Sequence, residues 1–106
     1  MRLKECALAI EGDMTKVLKL SKLLDVIAET RPHLEGLCLA VAKFLNAIAH
    51  QHHIRQSREL LELTLATTTD ADLAELFTQK LNAAKVKEAQ LYAAKMRARR
   101  ELEEGF

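Results

Sequence analysis

The chain has 106 residues, 49% apolar and 29% charged, a balance that supports one folded domain and excludes the polar, highly charged regime of disordered chains. A net charge of +1 excludes a strong overall field that would steer it to nucleic acid or membrane, so any electrostatic function must be local. With 3 Gly, 1 Pro, no Trp and 4% aromatic residues it lacks the turn punctuation and aromatic enrichment of strands, while abundant Ala, Leu, Lys, Glu and Arg favour helix.

From the N-terminus, Leu3, Ala7, Ile10, Met14, Val17, Ser21, Leu24 and Ala28 recur at alternating spacings of four and three, which keeps them on one helix face. The register runs through Gly12, so one helix over residues 3–29 is predicted. Local weakness at Gly12, where glycine costs about 1 kcal/mol against alanine, and a fresh start capped by Asp13 form the alternative. Thr30, Arg31 and Pro32 supply a stop and a restart, because proline suits the first turn of a helix, where its missing N–H is not needed. A second helix over 32–66 carries Leu34, Leu37, Cys38, Val41, Phe44, Leu45 and Ile48 on one face. After Ile48 the pattern slips. Continuing the stripe would turn His52 and Arg55 or Glu59 inward, whereas Ile54, Leu61 and Leu65 fall on roughly the opposite face. Either the helix bends within 50–57, or its two halves bury different faces.

Thr67, Thr68 and Thr69 are poor in helix interiors, and Thr69 with Asp70 and Asp72 makes a good N-terminal cap. The last helix therefore spans 70–104, with Leu73, Leu76, Phe77, Leu81 and Ala84 inward. Its stripe then thins to Leu91, Ala94, Ala98 and Leu102, interrupted by Glu88 and Lys95. The fold class predicted is all-α, an antiparallel bundle of three long helices in a single domain of residues 1–106, completed by homodimerisation. The outer helices, about 27 and 33 residues or roughly 40 and 50 Å, are long for a compact monomer. The apolar run Leu37 to Ile48 contains Lys43 and Asn46 and is far shorter than the roughly 20 residues of a membrane span. Arg2 and Lys4 are followed by Glu5 and Glu11, unlike a signal peptide. No membrane association and a cytoplasmic setting are expected, with Cys6 and Cys38 as reduced thiols on apolar helix faces.

Three groups of residues could carry chemistry. His50 and His53 have the i, i+3 spacing that two metal ligands on one helix face need, with His52 between them and His33 elsewhere. No acid or cysteine completes a zinc pattern such as His-Glu-x-x-His, so no metal is assigned, and surface histidines at a helix bend are expected. Sensitivity to protonation near about pH 6 is their other potential role. Second, residues 80–100 hold Lys80, Lys85, Lys87, Lys95, Arg97, Arg99 and Arg100 against the single acid Glu88, the footprint a phosphate contact needs. These cations are spread around the helix, only Tyr92 could stack on a base, and Glu101, Glu103 and Glu104 follow at once. Third, Ser21, His52, Lys80, Glu88 and Lys95 interrupt apolar stripes. No phosphate loop, nucleophile elbow or nucleophile with a recognisable base accompanies them, so neither catalysis nor a cofactor is expected.

The function expected is protein–protein interaction, by a small helical adaptor or regulatory protein that presents apolar helix faces to itself and to a protein partner. Ile54, Leu61, Leu65, Leu91, Tyr92, Met96 and Leu102 are the residues expected at partner surfaces. The rival expectation is a nucleic-acid-binding or transcription-regulating dimer that uses Lys85, Lys87, Arg97, Arg99 and Arg100.

Overall fold

The computed structural model describes residues 2–106. Met1, included in the single domain of 1–106, lies outside the described residues. Among these the chain forms four α-helices, α1 (Leu3–Ala9), α2 (Met14–Thr30), α3 (Glu35–Thr67) and α4 (Ala71–Gly105), and no strand. The all-α expectation is met, with one correction: the predicted helix over 3–29 is two helices. The break falls at Ile10–Asp13, where Gly12 withdraws support from the helix and the Asp13 carboxylate takes over as cap, accepting the Lys16 backbone N–H at 3.2 Å. The uninterrupted apolar register survives because both pieces still turn it inward: Leu3 and Ala7 on α1, Val17, Leu20 and Leu24 on α2.

Pro32 begins a single 3₁₀ turn, Pro32–Leu34, that leads into α3. At the other end of α3 the Thr67 and Thr68 hydroxyls donate back to the Thr64 carbonyl, at 3.0 and 2.7 Å, competing with onward helix. Asp70 restarts the chain by accepting the N–H groups of Asp72 and Leu73 at 2.9 and 3.1 Å. The short connection makes α3 and α4 an antiparallel hairpin, in an elongated molecule of 57 × 23 × 20 Å. No break interrupts α3 over residues 50–57.

Burial explains how α3 can be continuous although its apolar phase slips. On α4, residues 74, 77, 81, 84, 88, 91, 95, 98 and 102 are all buried or partly buried, an alternating three-and-four seam. On α3, residues 44, 51, 58 and 65, with 47, 54 and 61, form the matching seam. Its base half, nearest Glu35, buries a wider arc that adds Cys38, Val41, Leu45 and Ile48, because α1 and α2 cover that side. The half toward the Thr68–Asp70 tip packs only against α4 and buries only the narrow seam. A repeat of 3.5 residues, rather than 3.6, brings Phe44 and Leu65 into one line. Ile54, Leu61 and Leu65 thus belong to the intramolecular α3–α4 seam and not to an opposite face.

The third layer covers only half of the hairpin. α2 runs antiparallel to α3 from the waist, near Gln51, to the base. α1 returns along the end of α4, with Lys4 Nζ donating to the Glu103 carbonyl at 3.0 Å. Nearly all the buried apolar residues lie in this three-layered base, among them Val17, Val41, Phe44, Leu45 and Leu102; in the two-helix stalk Leu81 alone joins them. Cys38 is buried there and burial pushes its thiol up from the ordinary value. Cys6, expected on a buried face, is exposed on α1, whose single inward stripe is taken by Leu3 and Ala7.

Candidate functional site: a charged waist and an uncovered stalk

Two charged positions of the α4 seam, Glu88 and Lys95, mark the waist. Glu88 meets two cations from α3: Arg55 Nε donates to its Oε1 at 3.3 Å and Arg58 Nε to its Oε2. Arg58 in turn donates to Glu62 at 3.0 Å, one helical turn on. Lys95 lies 3.2 Å from Glu11 in the α1–α2 break, and Arg99 donates to Glu11 at 2.8 Å and to Glu103 at 2.6 Å. Lys95 also stands 5.2 Å from the centre of the Tyr92 ring, within cation–π reach. The break at Gly12 thus places Glu11 against the basic part of α4, and Glu88 holds α3 in register with it.

The hydrogen bond from Arg58, seconded by Arg55, outweighs the cost of desolvation and holds the Glu88 carboxyl below its ordinary value. A depressed folded value contributes stability above the unfolded value of about 4.3 and loses it as pH falls through the folded value. Glu88→Gln should therefore flatten the decline of stability with acid. Wild type should lose more stability than the variant between about pH 5 and pH 3 in urea melts. Equal losses would mean that the Arg58–Glu88 contact contributes no pH dependence.

Beside this cluster, Gln51, Arg55, Arg58, Lys85, Glu88, Ala89 and Tyr92 line an open groove of about 480 Å³. Gln51, 5% exposed, sits on the seam where sequence periodicity had turned His52 inward. Gln51, His52, Arg55, Lys95 and the Glu11–Met14 corner line a second, smaller hollow. The groove starts where the third layer ends. It continues along the same side of the hairpin that α1 and α2 cover in the base.

The predicted partner residues fall into distinct places. Leu102 is 0% exposed in the base core and is not available to a partner, because α1 covers the end of α4 that carries it. Ile54, Leu61, Leu65 and Leu91 are partly buried along the α3–α4 seam, and Met96 is partly buried near Arg99. Tyr92, 52% exposed, is open on the groove. Leu60, Leu63, Leu73 and Leu76 are exposed on the stalk together with Val86. Leu73 and Leu76 were expected inward, but only the narrow line of residues 74, 77, 81 and 84 meets α3 in the stalk, which leaves both leucines on its flanks.

Among the cations named for phosphate contact, Arg99 is held by Glu11 and Glu103. Lys85, Lys87, Arg97 and Arg100 are exposed. Arg97 and Arg100 share one outward hollow with Glu101 and Glu104, which offset their field. His50, His52 and His53 are exposed, and no cluster of three or more metal-ligating side chains forms among the described residues. None of the described helices is long and apolar enough to cross a membrane. In comparisons with known proteins the chain matches no family model, no curated protein and no solved structure.

Proposed function

We propose that this chain is a small helical interaction protein, of adaptor or regulatory kind, that works by associating with itself and with a protein partner through helix faces its own fold leaves open. The observation that carries the proposal is the half-covered hairpin: α1 and α2 stop at the waist, where Tyr92 is exposed, and the stalk beyond exposes Leu60, Leu63, Leu73, Leu76 and Val86, while Leu18, Leu23, Val26 and Leu39 are exposed on the base. The magnitude is sufficient. The accessible surface is 7159 Å² at 11.9 kDa, whereas a compact monomer of this mass exposes roughly 5,900 Å². The surplus exceeds the roughly 800 Å² that one partner contributes to a standard interface.

In this proposal the chain has no catalytic role and no cofactor, and its setting is the cytoplasm, where thiols such as Cys6 and Cys38 stay reduced. Molar mass measured across a concentration series tests the self-association. The expected result is a dimer at micromolar concentration. A monomer throughout the series would remove homodimerisation from the proposal.

The alternative, nucleic-acid binding through Lys85, Lys87, Arg97 and Arg100, draws support from the exposure of those four cations. Neutralising each phosphate contributes about 0.9 to the salt slope, so this alternative requires binding to mixed DNA or RNA that weakens steeply with salt. Absence of binding at low salt would end it.

A further inference from the structure

The seat that α1 and α2 occupy in the base is vacant along the stalk. On the side of the hairpin facing α1 and α2, the base positions are Cys38, Val41, Leu45 and Ile48. Carried on by heptads, the same side of α3 presents Arg55, Glu59 and Glu62, and the same side of α4 presents Tyr92, Ala89, Lys85 and Glu75. The vacant seat runs from Gln51 to the tip, about 17 residues or roughly 25 Å. This flank carries opposite charge at its two ends. From Glu59 to Gln79 there are five acids, Glu59, Glu62, Asp70, Asp72 and Glu75, and neither Lys nor Arg. Nearer the waist stand Arg55, Arg58, Lys85 and Lys95: Arg55 and Arg58 share the carboxylate of Glu88, Arg58 also holds Glu62, Lys95 pairs with Glu11, and Lys85 stands outside the ion pairs described.

A surface with acid at one end and base at the other is complementary to its own copy turned end for end. We propose that the partner of the stalk is a second copy of this chain, laid antiparallel on this flank so that the acidic tip of each copy rests on the basic waist of the other. The arrangement is two-fold symmetric and closes on itself. It puts two helices where each base has its third layer, and brings Leu63 and Tyr92, both exposed, toward the shared face. Its extent is set by the α1–α2 corner, against which the visiting tip stops. A flank of about 25 by about 20 Å gives roughly 1,000 Å² in total, the low end of specific interfaces, so the dimer is reversible and salt-sensitive.

This inference rests on the self-association proposed above and is tested by charge exchange. Asp72, Glu75, Lys85 and Ala89 are exposed and take part in none of the ion pairs described, so they can be altered without breaking those pairs. One variant reverses the tip with Asp72→Lys and Glu75→Lys; the other reverses the waist with Lys85→Glu and Ala89→Glu. Circular dichroism and melting temperature confirm that each is folded. Sedimentation should show wild type as a dimer that weakens with salt, each variant alone at least tenfold weaker, and an equimolar mixture restored to a heterodimer. If both variants dimerise as wild type does, the dimer uses another face: this inference fails while self-association stands. If the mixture is not restored, the antiparallel charge pairing is wrong. If wild type is a monomer at every concentration, self-association and this inference fall together.

Discussion

Replacing Phe44 by alanine is expected to cost about 3–5 kcal/mol, a large share of the 5–15 kcal/mol that holds a domain of this size folded. Phe44 is fully buried where α3 meets α4 and the third layer, beside Val41, Leu45, Val17 and Leu102. Its removal deletes more apolar volume than any other single truncation in the base can, and helices anchored on three sides can relax only partly into the space. At roughly 4–8 °C per kcal/mol the melting temperature should fall by more than about 10 °C. Tyr92→Ala, at an exposed ring on the groove, should stay within about 0.5 kcal/mol. Thermal melts of the two variants measure the contrast, and a Phe44→Ala shift no larger than that of Tyr92→Ala would mean that the base is not packed around this ring.

Leu81→Ala is expected to act on one half of the molecule. In the stalk Leu81 is the buried apolar side chain, with Phe77, Ala84, Leu61 and Leu65 only partly covered along the same seam. Its truncation should cost about 2–5 kcal/mol. Because no third layer ties the stalk to the base core, the loss should appear as local opening rather than global unfolding. Hydrogen exchange should accelerate by tenfold or more at amides of residues 60–85 while residues 17–24 and 38–48 keep their protection. Uniform acceleration over both halves would show instead that the hairpin opens as one unit with the base.

The helical class, the stop at Pro32 and the restart at Asp70 were legible because each is set locally, by propensity, by the proline ring and by a carboxylate at an N-cap. The break at Gly12 was less so. The register of apolar residues is blind to a fold-back that keeps both pieces facing the same core, and Glu11 makes its contacts with Lys95 and Arg99 only across more than 80 residues of chain. The faces of α3 were misassigned for a related reason. A helix with two neighbours at one end and one at the other changes the width of its buried arc, and a single helical period cannot describe both. Glu88 offered a usable clue: a carboxylate within an apolar seam asks for a cation opposite, and Arg55 and Arg58, three residues apart, are placed to supply it. Leu102 was misjudged because the thin stripe around it gave no sign that α1 would cover it.

The unequal fates of the two cysteines have a practical consequence. Cys38 is shut inside the base with its thiol pushed up by burial, while Cys6 lies open on α1. An alkylating reagent meets Cys6 at once but reaches Cys38 only when the base breathes, and only the thiolate reacts. The lag between the two labelling events is a built-in clock for the opening of this end of the molecule, and any partner that steadies the base must slow its second tick and leave the first alone.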